Sequence, residues 1–154
     1  MPLEIERKFL VLNSEWKKTA SAPVRMCQKY VPLGAGLKGV IRIRIAGEHA
    51  FLTLKTPQSG CVRGEYEYGI PLSDAENLMK EFCPSGGVEK LRYLVEYEGK
   101  RWEVDEFIGV HAGLVIAEIE LSSADEFFAL PPWLGKEVSG DFHYSNSYLA
   151  EHSK

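Results

Sequence analysis

The chain has 154 residues, of which 45% are hydrophobic and 26% charged, and its formal net charge at pH 7 is −4. These proportions are typical of a soluble globular protein and exclude a disordered or fibrous one, and no apolar run approaches the roughly 18 residues of a membrane-spanning helix. The acidic balance argues against a nucleic-acid-binding surface, which usually carries an excess of bases. It does not exclude a small anionic substrate. We expect one domain over residues 1–154.

The predicted elements are mainly strands. Apolar and polar residues alternate with a period of two in eight segments, which is typical of half-buried strands. In chain order they are Leu3–Leu12, Arg25–Pro32, Leu37–Gly47, Ala50–Thr56, Val62–Leu72, Val88–Tyr97, Lys100–Phe107 and Leu114–Leu121. Short turns such as Glu98-Gly99-Lys100 separate several of them, and helices do not alternate with strands. Eight strands, mostly in hairpins, favour a closed antiparallel barrel.

Helices are predicted to be few and short. Four segments carry helix signals: Ser73–Phe82, Ser123–Ala129, Glu15–Ala20 and Asn146–His152. The first two open with a serine followed three residues later by glutamate, the pattern of a capping box. In the last, Ser145 is the candidate N-cap. The predicted fold class is α+β, dominated by the sheet, with the helices packed outside the barrel.

The polar face of nearly every predicted strand carries full charges. Side chains two residues apart in a strand lie on the same face. The sets that share a face are Glu4, Glu6 and Lys8; Arg42 and Arg44; Thr53 and Lys55; Arg63, Glu65 and Glu67; Lys90 and Arg92; Glu103 and Asp105; and Glu118 and Glu120. Several sets contain charges of one sign only. Like charges on one face repel each other unless a counter-ion binds.

Two interpretations of these charged faces are open. In the first, each is the solvated face of an ordinary sheet, where most charged side chains lie. In the second, the barrel carries its apolar faces outside, under the helices, and its charges line a water-filled bore. The separation of acids from bases favours the second, because bases suit a polyanion such as phosphate and carboxylates suit a hard cation. The separation is incomplete, since the first and fifth strands mix the two signs.

Short charged motifs also follow one another in a fixed order along essentially the whole chain. They are Glu4-Ile5-Glu6-Arg7-Lys8, Arg42-Ile43-Arg44, Leu54-Lys55, Arg63-Gly64-Glu65-Tyr66-Glu67, Glu89-Lys90-Leu91-Arg92-Tyr93, Asp105, Glu118-Ile119-Glu120 and His143-Tyr144-Ser145-Asn146. In order and spacing they resemble the E-x-E-x-K, R-x-R, lysine, R-x-E-x-E, K-x-R, aspartate, E-x-E and R-Y-S-N elements of the CYTH domain family, the triphosphate tunnel metalloenzymes. His143 departs from that pattern, because an arginine is usual there.

The resemblance implies an eight-stranded antiparallel tunnel in which bases hold a triphosphate and glutamates hold Mg²⁺ or Mn²⁺. The bases that it assigns to the substrate are Lys8, Arg42, Arg44, Lys55, Arg63, Lys90 and Arg92. The carboxylates that it assigns to metal are Glu4, Glu6, Glu118 and Glu120, with Asp105 and Glu67 in a second site or behind the first.

The implied reaction is a metal-dependent hydrolysis, for which we single out Lys8, Glu6 and Tyr30 as catalytic residues. Phosphoryl transfer needs positioning and charge neutralisation more than covalent chemistry. A carboxylate near the metal, Glu6 or Glu118, is one candidate for the base that activates water. Tyr30 is another, if Lys8 lies close enough to favour its phenolate. The alternative role of Tyr30 is a structural hydrogen bond to the tunnel wall.

Inorganic tripolyphosphate is the preferred substrate, because the compact chain shows no motif that would bind a nucleobase. Three alternatives stay open. One is a class IV-type adenylyl cyclase, and another is a thiamine triphosphatase with Trp102 or Tyr30 against the organic group. The third is a non-catalytic polyphosphate-binding module, which could spare the glutamate pairs that this chain retains.

Compartment and partners are also expected from the sequence. Residues 1–12 mix acids with apolar residues where a signal peptide would carry only bases, so we expect a cytoplasmic protein. Cys27, Cys61 and Cys83 lack the C-x-x-C spacing and are expected to be reduced packing residues. The expected partner is a small-molecule triphosphate, with no nucleic acid and no membrane. The oligomeric state is open, with a homodimer as one option.

Overall fold

The barrel predicted from the sequence is confirmed. A computed structural model describes residues 2–84 and 86–153. Within these residues, nine strands form one antiparallel sheet: β1 Leu3–Val11, β2 Val24–Tyr30, β3 Val40–Ala46, β4 His49–Lys55, β5 Val62–Ile70, β6 Val88–Tyr97, β7 Lys100–Ile108, β8 Val115–Glu120 and β9 Leu134–Glu137. Their order is β5-β4-β3-β2-β6-β7-β8-β1-β9, and β1 also pairs with β5. The first eight strands therefore close into a barrel.

Strand β1 closes the barrel by dividing its free edge between two partners. Its first residues, Leu3–Ile5, pair with β5, whereas Phe9 and Val11 pair with the short strand β9. Along its other edge β1 pairs with β8. The strand β9 was missed by the sequence analysis, and it covers the part of β1 that β5 does not reach.

Glycines with positive φ lie at the turns between strands. Between β6 and β7, Glu98 and Gly99 both have positive φ, 48° and 74°, which is the two-residue turn whose twist matches that of the flanking strands. The third strand was predicted from Leu37, but it begins at Val40. Gly39 precedes it with φ of 112°, a conformation that ends regular strand pairing there.

Two α-helices lie in the described residues, α1 over Leu72–Phe82 and α2 over Asn146–Glu151. Short 3₁₀ turns occupy Glu15–Thr19, Gly109–His111 and Phe142–Tyr144. The prediction of Ser145 as the N-cap of α2 is confirmed, because its hydroxyl oxygen accepts a hydrogen bond from the Tyr148 N–H.

Two helix predictions need correction. Ser73 is not an N-cap: α1 begins one residue earlier, after Pro71, and no side chain caps it. The helix predicted over Ser123–Ala129 is absent, and this segment is turn and irregular chain. Its Glu126 carboxylate accepts from the Ser122 N–H and from Lys100 instead of completing a capping box. The segment is also too short to be helical without packing of its own.

Two hydrophobic clusters lie outside the barrel wall. Helix α1 packs its Ala75 and Met79 against Ile43 and Ala50. An aromatic cluster joins β1 and β7 to the chain around β9, through Phe9, Trp102, Phe128 and Trp133.

The third cluster lies inside one end of the barrel. Its residues Val88, Phe107 and Ile116 share the strand faces of Lys90, Asp105 and Glu118, and helix α2 packs Leu149 against them. The prediction that the helices pack outside the barrel is therefore confirmed for α1 and wrong for α2, which covers one end of the bore.

Cys27, Cys61 and Cys83 are free thiols, and Cys83 is buried beside α1. Across residues 2–84 and 86–153, we find no helix of the length and apolar character that spanning a membrane requires.

Candidate active site

The bore of the barrel is a cavity of about 210 Å³ with a charged lining. The bases on its wall are Lys8, Arg42, Arg44, Lys55, Arg63 and Arg92. The acids are Glu4, Glu6, Glu65, Glu67, Glu103, Glu118 and Glu120. The solvated-face interpretation of the strands is therefore wrong for these residues. Alternation with a period of two turns one face of every strand inward, and here that is the charged face.

The acids gather where β1, β7 and β8 meet. In the register of β1 and β8, Glu6 lies opposite Glu120 and Lys8 lies opposite Glu118. In the register of β7 and β8, Glu103 also lies opposite Glu118. Directly opposed carboxylates repel each other, so this wall of the cavity concentrates negative charge.

The protonation of these carboxylates reflects the crowding. Burial, together with the charges of Glu118 and Glu4, raises the pKa of Glu6 to about 8. Burial also raises the pKa of Glu4, although Lys55 opposes it. Glu118 behaves in the opposite way, because Lys8 and Arg92 outweigh its burial and hold its pKa well below the usual range.

Two lysines partly neutralise the acidic wall. Lys55 Nζ lies 3.0 Å from Glu4 Oε1, and Lys8 Nζ lies 3.7 Å from Glu118 Oε1. In the described part of the chain, three or more acidic, histidine or cysteine side chains do not converge as they would around a bound ion. The donor set nevertheless fits a hard divalent cation, because carboxylate oxygens are its preferred ligands.

The bases gather on β3 and β6. Burial and the neighbouring charges of Arg42 and Arg92 lower the pKa of Arg44 to about 10. Arg42 donates from Nη2 to Thr53 Oγ1 at 3.3 Å and to Glu67 Oε2 at 3.2 Å, whereas its buried Nε has no partner among the described residues. Unpaired guanidinium donors in a like-charged cluster favour an anion with several oxygens.

Arg63 completes the basic lining at the junction of β1 and β5. It lies opposite Glu4 in the register of those strands. Its Nε donates to the carbonyl oxygen of Thr56 at 3.0 Å, which fixes the guanidinium at the cavity wall.

The structure does not bring Lys90 and Asp105 into the cavity wall. Lys90 Nζ lies 2.8 Å from Asp105 Oδ2 and donates to Asn146 Oδ1 at 2.9 Å. Asp105 also accepts two hydrogen bonds from Arg92, at 2.7 and 2.8 Å. Burial lowers the pKa of Lys90 to about 7 although Asp105 opposes it, and Lys90 and Arg92 hold the pKa of Asp105 low against its own burial. Lys90 and Asp105 do not border the cavity themselves. Lys90 contacts Asn146 and Asp105 contacts Arg92, and these two partners line the cavity.

Tyr30 lies on the cavity wall, as expected, and it has a partner that the sequence analysis missed. The side-chain amide of Gln28 donates to Tyr30 Oη at 3.0 Å. Gln28 lies two residues before Tyr30 on the same face of β2, so its position was predictable, but a neutral side chain gave no charge signal.

Other wall residues were missed as site residues for different reasons. Ser145, Asn146 and Ser147 enter the wall from the start of α2, which the strand pattern does not describe. Glu103 was recognised as part of an acidic pair but received no role. His143 does not line the cavity: its Nδ1 lies 2.8 Å from Asp141 Oδ1, and its side chain is mostly exposed.

Comparison with known proteins agrees with this geometry. A family model described as the CYTH domain matches residues 2–152. The inorganic triphosphatase of Acetivibrio thermocellus is 41% identical over 151 residues, covering 98% of this chain and 95% of that protein. The inorganic triphosphatase of Nitrosomonas europaea is 35% identical over 150 residues, covering 96% of each. A crystal structure of an inorganic triphosphatase matches with a TM-score of 0.65 at 35% identity, covering 98% of this chain and 96% of that chain.

The fold and the cavity define the class of protein: a closed antiparallel barrel that carries acids and bases on its inner wall. The chain belongs to the CYTH domain family.

Proposed function

We propose that this protein hydrolyses inorganic tripolyphosphate in a reaction that depends on Mg²⁺ or Mn²⁺. The observation that carries the proposal is the division of one cavity into an acidic wall on β1, β7 and β8 and a basic wall on β3 and β6. The names of the two relatives support a triphosphate as the substrate. A polyphosphate needs no organic pocket, and most residues of the lining are charged.

The bases hold the substrate and neutralise its charge. Arg42, Arg44 and Arg92 present planar guanidinium groups, which form paired hydrogen bonds with phosphate oxygens. Lys55 and Arg63 extend the basic lining toward the junction of β1 and β5. Holding the phosphates in one extended geometry lowers the barrier, because phosphoryl transfer depends mostly on positioning and charge stabilisation.

The residues that would hold the divalent ion are Glu4, Glu6, Glu118 and Glu120. The ion supplies charge neutralisation at the phosphate oxygens and makes a nearby water more acidic. Lys55 pairs with Glu4 and Lys8 with Glu118. Two of the carboxylates that would hold the ion are therefore already in contact with two of the bases that would bind the phosphates.

Lys8, Tyr30 and Glu6 are the residues that we assign to the chemical step. Lys8 keeps its charge, since Glu118 and Glu6 raise its pKa against the effect of burial. It therefore can stabilise negative charge that develops on the phosphate. Glu6 is a candidate acceptor for the proton of the attacking water, and Tyr30 borders the same cavity from β2, opposite Arg42 of the basic wall.

The test is phosphate release from tripolyphosphate, ATP and thiamine triphosphate, measured side by side with Mg²⁺, with Mn²⁺ and with excess chelator. We expect orthophosphate from tripolyphosphate at least as fast as from ATP, and no turnover in chelator. Full activity in chelator would contradict the metal assignment. Conversion of ATP to cyclic AMP and pyrophosphate, without orthophosphate, would contradict hydrolysis.

A matched pair of variants locates the metal dependence. Glu6→Gln removes a carboxylate from the acidic wall and should raise the Mg²⁺ concentration needed for half-maximal rate. Glu126→Gln makes the same change in an ion pair with Lys100 outside the cavity, and should leave that concentration unchanged. Equal behaviour of the two variants would place the metal elsewhere.

A further inference from the structure

Gln28 joins two residues of the cavity wall through its side-chain amide. Its side chain is buried, with 0% of the residue exposed. Arg44 Nε donates to Gln28 Oε1 at 2.8 Å, and Gln28 Nε2 donates to Tyr30 Oη at 3.0 Å. The register explains the meeting, because Gln28 lies opposite Arg44 and Tyr30 opposite Arg42 where β2 pairs with β3.

Arg44 determines which way the amide faces. A guanidinium group has only donors, so the atom of Gln28 that meets it must be the oxygen. The NH₂ group then has to face Tyr30. Turning the amide over would oppose two donors at Arg44, which in a buried position costs the full desolvation of the unpaired group. Arg44 therefore fixes the orientation of the Gln28 amide.

The direction of the amide in turn fixes the direction of the Tyr30 hydroxyl group. The Tyr30 oxygen accepts from Gln28, so its own hydrogen cannot point toward Gln28. The Lys8 ammonium group, which borders the same cavity, carries only donors and cannot accept it. The O–H is left to point into the bore, where a bound polyphosphate would offer acceptor oxygens.

We propose that Gln28 is a positioning residue: held by Arg44, it turns the Tyr30 O–H toward the triphosphate, where the hydroxyl donates to a phosphate oxygen. The proposal rests on the proposed function and adds a residue that works through Tyr30. It accounts for the burial of an amide beside the charged bore, since such a group is tolerated only when its donors and acceptor are bonded. It also gives Arg44 a second task besides binding phosphate.

The variant that tests it is Gln28→Glu, which keeps the shape of the side chain. The carboxylate still accepts from Arg44, but it has no hydrogen to give to Tyr30. The Tyr30 O–H would then turn toward the carboxylate and away from the substrate. Since a hydrogen bond to a charged group contributes roughly 1.5–3 kcal/mol, we expect kcat for tripolyphosphate to fall about 10- to 100-fold.

A double-mutant cycle with Tyr30→Phe separates positioning from a general effect of the new charge. If Gln28 acts through the Tyr30 hydroxyl group, Gln28→Glu should change kcat by less than about twofold when that hydroxyl is already gone. Gln58→Glu is the matched control. Gln58 borders the same cavity but contacts Ser139, and its effect on kcat should be the same with and without Tyr30→Phe.

An equal fall in kcat caused by Gln28→Glu in both backgrounds would overturn the proposal, because Gln28 would then act independently of Tyr30. Should Gln28→Glu fail to fold, Gln28→Met removes the same donor, and the same cycle decides. The unmodified protein is assayed alongside. If it releases no phosphate, both this proposal and the proposed function fail, whereas active protein with independent effects overturns the role of Gln28 alone.

Discussion

Ion pairs on the outside of the barrel and charges inside it differ in how acids and bases are matched. Arg7 and Lys8 are neighbours in β1 and lie on opposite faces. Outside, Arg7 makes two short hydrogen bonds to one carboxylate, Glu137, at 2.6 and 2.7 Å. Inside, Lys8 is 3.7 Å from Glu118, on a wall where Glu6 opposes Glu120. Arg7 and Glu137 neutralise each other on the outside, whereas the opposed carboxylates on the inside leave negative charge that a ligand can neutralise.

The difference has an energetic consequence. A partly exposed pair contributes little to stability, because water already solvates both charges well. A buried cluster of one sign costs stability in the empty protein, and a counter-ion recovers that cost on binding. Substitutions of unmatched inner charges should therefore affect activity far more than stability. Substitutions of matched charges should affect stability, by an amount that grows with burial.

Arg44→Ala should give the largest effect. Removing one preorganised donor to a phosphate costs roughly 10²–10³-fold in rate, and this variant also releases Gln28. The empty protein should melt near the wild-type temperature, because Arg44 lies in a repulsive cluster with Arg42 and Arg92. Melting with and without tripolyphosphate measures the contrast: the variant should lose most of the stabilisation that the ligand gives the wild type.

Arg101→Ala is the matched control for that experiment. Arg101 lies near the start of β7, on the same face as Glu103 but beyond the cavity lining, and pairs with Glu96; both side chains are mostly exposed. Rate and ligand-induced stabilisation should both stay at wild-type values. A variant of Arg44 that kept the full ligand-induced shift would remove the basic wall from substrate binding.

The alternation of apolar and polar residues predicts most strands of this molecule but not all of them. The period of two identified the strands that form the barrel and the face that each turns inward. It could not identify β9, because Leu134–Glu137 has only four residues and pairs only where β1 leaves an edge uncovered. A strand of that kind is stabilised by its tertiary partner and not by its own pattern.

The candidate site shows a second limit. Alternation tells which face a charge lies on but not how deep along the barrel it lies. Lys90 and Arg92 share a face of β6, yet Arg92 borders the cavity and Lys90 is buried against Asp105. The role of Gln28 was also beyond a search for charges, since its importance comes from two neighbours that only the strand register brings together.

Lys90→Met tests whether a matched charge inside the barrel behaves like the matched charges outside. Lys90 is fully buried and joins Asp105 on β7 to Asn146 at the start of α2. Breaking a buried pair by removing one partner typically costs about 3–5 kcal/mol. We expect about 3 kcal/mol, because Asp105 keeps its two hydrogen bonds to Arg92.

Urea unfolding of Lys90→Met beside Arg44→Ala measures this difference. The lysine variant should lose stability without ligand, and the arginine variant should not. If Lys90→Met kept its stability but lost the stabilisation by tripolyphosphate, Lys90 would be a substrate-binding residue, as the sequence resemblance implies.

The smallest effect should come from Glu137→Gln, on the outside of the barrel, and its sign depends on pH. Hydrogen bonds from Arg7 and, after an opposing effect of burial, from Ser139 lower the pKa of Glu137 below its usual 4.5. A carboxylate with a lowered pKa in the folded state stabilises the protein above about pH 4.5, and this contribution is lost as the pH falls through the folded-state pKa. Because both side chains are about one-third exposed, at 33% and 36%, we expect about 0.5 kcal/mol at pH 7. Urea unfolding of both proteins at pH 7, 5 and 3 should show the difference shrinking at the lowest pH, and shrinking also in high salt. If the difference in unfolding free energy between the two proteins stayed constant across pH and salt, the charge of Glu137 would not contribute to stability in its pair with Arg7.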